Sequence, residues 1–225
     1  MKIAASWRSR SIAPLVQVVF VLALFFFLSQ AKAQTPDFQP LRTPTPRKGH
    51  LMTYDAARRN VVLFGGEAEN GSNLIDTWVW NGKTWLQKAA GANAPHPEEG
   101  TAGAMVYDSV RREVVLVTDS GATWTWDGQA WKDKTPQDEK NALPGYQHFA
   151  MAFDEARGET VLFGGCCEET EDSGETWIWN GQRWKKREVA PDAQRPSGRT
   201  QPAMAYDSLR REVVLFGGID RKSVV

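Results

Sequence analysis

The chain has 225 residues, with 27 basic and 27 acidic side chains. That balance leaves no basic field for nucleic acid or for an anionic membrane surface. The length allows one or two domains with a sizeable core, and ten Trp with nineteen Gly point to many short strands joined by tight turns.

Residues 1–33 read as a secretory signal. Lys2, Arg8 and Arg10 make a basic start, and Leu15–Leu28 is apolar apart from Gln17. Ala31-Lys32-Ala33 then puts small residues at the two positions a signal peptidase reads, so cleavage is expected before Gln34. The competing reading is an uncleaved anchor, but the run falls short of the ~20 apolar residues a spanning helix needs. No Cys lies near the site to carry a lipoprotein anchor. The mature chain would hold 23 basic and 27 acidic side chains, a net of −4, and would be secreted or periplasmic without membrane attachment. Residues 34–48, rich in Pro and Thr, read as an extended lead-in.

From residue 49 the sequence repeats, and the repeat decides the fold class. Met52-Thr53-Tyr54-Asp55 leads through Arg58 to Val61-Val62-Leu63-Phe64-Gly65-Gly66. The same order returns at Met105–Asp108, Arg111 and Val114–Val117, at Met151–Asp154, Arg157 and Val161–Gly165, and at Met204–Asp207, Arg210 and Val213–Gly218. A second block follows three of these copies: Thr77-Trp78-Val79-Trp80-Asn81-Gly82 with Trp85, Thr123–Gly128 with Trp131, and Thr176–Gly181 with Trp184. The aromatic series Tyr54, Tyr107, Phe153, Tyr206 steps by 53, 46 and 53 residues, and all the variation lies between the Gly-Gly position and Thr-Trp. That segment is therefore a loop.

Each repeat predicts four strands. The first alternates Met and aromatic residues with mostly small ones, a period of two. The second is a short apolar run, as in a strand buried on both faces. Asp55, Asp108, Asp154 and Asp207 sit where a carboxylate can accept bonds from turn amides. Asn-Gly or Asp-Gly predicts a two-residue hairpin between strands three and four, which would set Trp80 opposite Lys83 and Trp78 opposite Trp85. The expectation is an all-β incomplete β-propeller of about three and a half four-stranded blades, at 49–101, 102–147, 148–200 and a half blade at 201–218.

Strand, Gly-Gly, loop, Thr-Trp and a further Trp resemble the kelch repeat, which has a period near ~50 residues. The second copy departs from it, with Thr118-Asp119 in place of the glycine pair and a shorter loop. Thr170–Trp177 also resembles the Asp-box of sialidase-type propellers, which is a structural turn there. The resemblance implies a propeller, and propellers close with about four to eight blades. Three readings of the shortfall stand: a piece of a longer protein, two chains pairing as a homodimer with seven blades, or a degenerate product.

Few residues carry chemistry. Cys166 and Cys167 are adjacent, suited to a strained vicinal or an interchain disulfide, or to no role beyond loop thiols. Glu168, Glu169, Glu171, Asp172 and Glu175 crowd one loop, read as solvated acid in preference to calcium ligands. Copper sites of galactose oxidase-like propellers use Tyr and His, yet Tyr146, His148 and the cysteine pair do not match that motif. No catalytic residue, metal or other cofactor is assigned. In kelch-like propellers two sets of loops share one face. Here that face would carry Arg47, His50, Tyr146, His148, Cys166, Cys167, Glu168, Glu169, Asp172, Arg195 and Arg199. The leading expectation is a non-catalytic module binding a protein or carbohydrate through those loops. A carbohydrate-active oxidase or epimerase needing further blades, and a sialidase-like propeller, are the alternatives.

Overall fold

A computed structural model describes residues 43–88, 94–96, 103–138, 140–166, 172–188 and 195–220. The chain divides into residues 1–40 and 41–225, and everything described belongs to the second unit. The expected secretory signal and most of the expected lead-in lie outside the described residues.

The repeats form antiparallel sheets, each pairing its main strands in chain order from the first. Blade 1 is β2 (Leu51–Asp55), β3 (Asn60–Phe64), β5 (Thr77–Trp80) and β6 (Trp85–Lys88). A small pair, β1 (Arg47–Lys48) with β4 (Glu67–Ala68), sits beside it. Blade 2 is β7 (Ala104–Asp108), β8 (Glu113–Val117), β9 (Thr123–Trp126) and β10 (Trp131–Asp133). Blade 3 is β11 (Ala150–Asp154), β12 (Glu159–Phe163), β13 (Thr176–Trp179) and β14 (Trp184–Lys186). A half blade follows, β15 (Ala203–Asp207) and β16 (Glu212–Phe216). The first strands lie side by side, β2 against β7, β7 against β11 and β11 against β15. This is an incomplete β-propeller.

Burial follows the stacking. Val62, Phe64 and Val114–Val117 are fully buried, Val62 and Phe64 in one cluster with Val114, Leu116, Trp126 and Trp131 of blade 2. Along β11 every residue is buried, and only side chains as small as Ala150 and Ala152 leave room for the flanking first strands. At the two ends the pattern fails: Leu51–Tyr54 of β2 alternate between half-buried and exposed, and so does β16.

Each turn between first and second strands is built on its aspartate. Asp55 Oδ1 accepts the Arg58 N–H at 3.0 Å while Oδ2 pairs with the Arg58 guanidinium at 2.8 Å. Asp108 with Arg111, Asp154 with Arg157 and Asp207 with Arg210 repeat this. The arginines also stitch blades. Arg58 Nη1 donates to the Arg112 carbonyl of blade 2 at 2.9 Å, and Arg111 Nη1 to the Gly158 carbonyl of blade 3 at 3.0 Å.

The hairpin register differs from the expectation. Trp80 pairs with Trp85, Trp126 with Trp131 and Trp179 with Trp184, with ring centroids 5.4 to 5.6 Å apart. The connection is four residues long, not two. Asn81 does not enter the positive-φ region; its carboxamide accepts the N–H groups of Lys83 and Thr84, each at 2.9 Å. Gly82 alone takes φ of +92°, so the turn centre moves one residue onward.

The last Trp of each hairpin reaches back to the preceding blade. Trp131 Nε1 donates to Thr77 Oγ1 at 2.8 Å, and Trp184 Nε1 to Thr123 Oγ1 at 2.9 Å. The Trp131 ring meets Phe64 edge-on, centroids 5.2 Å apart, a geometry favoured by the ring quadrupoles. Tyr107 Oη accepts the Ala57 N–H at 3.1 Å across the same junction. The hairpin glycine completes the contact. A Cβ on Gly128 would stand 2.1 Å from Arg58 Nε, and one on Gly181 2.0 Å from Arg111 Nε.

Candidate functional site

The loops entering β11 and β15, together with the loop between β12 and β13, gather at one edge of blade 3. Their backbones touch: Gly165 N–H donates to the Arg199 carbonyl at 3.0 Å, Arg199 N–H to the Ser173 carbonyl at 3.2 Å, and Ser173 N–H to the Gly165 carbonyl at 2.8 Å. A Cβ on Gly198 would lie 2.0 Å from the Asp172 carbonyl oxygen, so only a glycine permits that approach. Beside this crossing opens a cleft of about 550 Å³, lined by Asp172, Glu175, Lys186, Arg187, Glu188 and Arg195 among others.

Glu175 anchors the cleft wall. Its Oε2 accepts Tyr146 Oη at 2.7 Å and Trp177 Nε1 at 3.0 Å, while Oε1 pairs with Lys186 Nζ. Burial opposes ionisation of this carboxyl, but the bonds from Lys186, Tyr146 and Trp177 outweigh it and hold its pKa below the ordinary value. Blade 1 carries the same device in other residues. Asp76 accepts the Arg47 guanidinium at 2.5 and 3.1 Å and Trp78 Nε1 at 2.6 Å. Its pKa is likewise lowered: burial works against ionisation and those bonds prevail. The sequence signal for the pair is an acid directly before Thr-Trp, Asp76 and Glu175; blade 2 has Ala122 there.

The expected site residues therefore separate. Asp172 and Arg195 meet in the cleft. Arg47 and Tyr146 occupy equivalent positions and face inward onto their acids; the Arg47 side chain is 3% exposed, and Tyr146 is buried. Arg199, at the same position before β15, donates Nη1 to the Gly217 carbonyl at 2.9 Å and Nε to the Ser197 carbonyl at 3.1 Å. His50 and His148 are exposed, and His148 takes φ of +60° while its carbonyl accepts the Gln201 N–H at 2.7 Å. Cys166 is buried and exchanges backbone bonds with Gln147, both at 2.9 Å. Cys167, Glu168 and Glu169 lie outside the described residues. Among the described residues, no three His, Cys, Asp or Glu side chains stand grouped as metal ligands.

In the second copy, where Thr118-Asp119 replaces the glycine pair, the turn closes through a threonine, with Gly121 at φ of +84°. Thr118 N–H donates to the Ala122 carbonyl at 3.0 Å, and Thr118 Oγ1 accepts the Ala122 N–H at 3.2 Å.

No known family description matches the chain, and neither does any curated protein. Solved structures do match, among them that of YjhT, with a TM-score of 0.54 and 15% identity over 77% of this chain. The match covers 59% of YjhT, so this chain spans well under two thirds of that protein's length. At that identity the likeness speaks for the fold alone, and the fold it supports is the propeller.

Proposed function

We propose that this chain is a kelch-type recognition module working outside the cytoplasm, which binds a protein or glycan through the cleft beside blade 3. The observation that carries the reading is the mixed-charge cleft. Arg187, Glu188 and Arg195 are exposed at its rim, while Glu175 and Lys186 are paired with each other in its wall. Rim groups of both signs suit a ligand rich in hydroxyls or in paired charges, held by several modest hydrogen bonds and not by one deep pocket. Loops on a rigid β scaffold are where binding residues concentrate, although a fold by itself assigns no function. Supporting the location are the basic start, the apolar run and the Ala31-Lys32-Ala33 site.

The test is a glycan array and an affinity capture from extracytoplasmic extract, repeated with Arg187→Ala and Arg195→Ala. Each change is expected to weaken the identified ligand about tenfold while the melting temperature stays put. Unchanged binding in both variants rejects the cleft as the binding surface.

A further inference from the structure

We infer that the two seams between full blades, blade 1 with blade 2 and blade 2 with blade 3, each enclose one internal water, which accepts from a tryptophan N–H and donates to a polar side chain beside it. Partners are unequally shared among the tryptophans. Trp131 and Trp184 donate to threonine hydroxyls, and Trp78 and Trp177 to carboxylates. Trp126 and Trp179, the second tryptophan of the Thr-Trp-x-Trp block in blades 2 and 3, are 1% and 0% exposed. Both of their indole nitrogens are buried with no hydrogen-bond partner in the protein. A buried donor left unpaired is costly, and native proteins leave few.

Each of these indoles has an unbonded oxygen at its own seam. Asn60 Oδ1 and Thr160 Oγ1 are likewise buried without a partner in the protein. Val62 and Phe64 of β3 pack in one cluster with Trp126, and alternation along the strand puts Asn60 on that same face. Arg58, two residues before Asn60, lies against Gly128, two residues after Trp126. The amide and the indole therefore stand at the same level of the first seam. At the second seam Thr160 is the cross-strand partner of Trp179, so their side chains share a face of the sheet. That face meets blade 2, because Leu162 and Trp179 cluster with Val115 and Val117. Glu113 holds Asn60's position in blade 2. Alternation puts it on the face of Val115 and Val117, where it adds a third polar group.

The chemistry of each pair selects the occupant. An indole N–H only donates, which excludes a cation. An amide oxygen only accepts, which excludes an anion at the first seam. Water does both, and an internal water needs about two to four polar partners. A water relay also tolerates the variation of the repeat. At the first seam the oxygen comes from the preceding blade, as Asn60. At the second it comes from the tryptophan's own blade, as Thr160, where blade 2 has Val114. A direct bond to the indole would demand one residue type at one position.

The test is a pair of crystal structures, wild type and Asn60→Leu, at a resolution that shows ordered solvent. In wild type one solvent peak is expected within about 3.2 Å of both Trp126 Nε1 and Asn60 Oδ1, and another within the same reach of Trp179 Nε1 and Thr160 Oγ1. Asn60→Leu removes the acceptor at the first seam alone. Leucine is close to asparagine in size and Asn60 is only half-buried, so the fold should stand. The first peak should then vanish while the second keeps its occupancy as an internal control. The wild-type structure decides by itself if the variant does not fold. Dry seams in wild type, a direct bond from either indole to Asn60 or Thr160, or a peak at Trp126 that survives Asn60→Leu each overturns the inference.

Discussion

Replacing Gly181 by Ala measures what one blade junction contributes, because Gly82 supplies a matched control. Both glycines sit at φ of +92° in equivalent hairpins, so both substitutions carry the same backbone strain, about 1–2 kcal/mol. They differ in what the new methyl group meets. Over Gly82 the space is open, whereas at Gly181 the Cβ would lie 2.0 Å from Arg111 Nε. The guanidinium is the end of a flexible side chain and can swing aside, so the added cost is the bonds it gives up rather than the clash. Those are the bonds to the Gly158 carbonyl, at 3.0 Å, and to the Asn180 carbonyl. Charge-assisted bonds are worth about 1.5–3 kcal/mol each when buried. Arg111 is about one third exposed, and solvent screening reduces the pair to about 1–2 kcal/mol in all. Gly181→Ala should therefore melt about 2–6 °C below Gly82→Ala in a protein of this size. Scanning calorimetry of the two variants makes the comparison. Equal melting temperatures for the two variants would refute the claim that the arginine–glycine contact joins the blades.

Two further outcomes follow from the same geometry. Thr123→Val keeps the shape but removes the acceptor for buried Trp184 Nε1, and should cost about 1–3 kcal/mol in urea denaturation; a loss within error would show that the bond contributes nothing. Glu175 has a folded pKa below its ordinary 4.5, so its stabilising effect is complete above the unfolded value and fades as pH falls through 4.5 toward the folded one. Glu175→Gln should accordingly flatten the acid limb of the stability curve, and a limb as steep as in wild type would show that this carboxylate is not responsible.

The strand order was legible because the repeat is long and four copies share a register. First and second strands fell where Met–aromatic alternation and the Val-rich runs put them. The hairpin tip was not, since the Asn-Gly signal assumes that both residues take positive φ. The Asn81 side chain instead caps the turn from outside that region, which shifts each tryptophan's cross-strand partner by two residues. The arginine after each turn aspartate reads in sequence as a local partner. Its second bond, to the next blade, depends on stacking that no local spacing encodes. Arg47 and Tyr146 show the same limit from the other side. Their place before each first strand was readable, but their direction was not, because the acids that draw them inward lie 29 residues further along the chain.

That inward direction bears on where recognition can reside. A propeller must hold its loops to the sheet, and here charged and hydroxyl groups do so through Asp76 and Glu175, buried enough that their bonds decide their ionisation. Residues consumed in this way cannot also vary with a ligand. Blade 1 pairs Arg47 with Asp76, while blade 3 has an uncharged tyrosine in the arginine's place, and the cation paired with Glu175 is Lys186. Lys186 brings Arg187 and Glu188 with it along the outer strand, opposite Arg195. Tyr146 in the arginine's place leaves Glu175 to a lysine of the outer strand, and the proposed recognition surface falls where the repeat departs from itself.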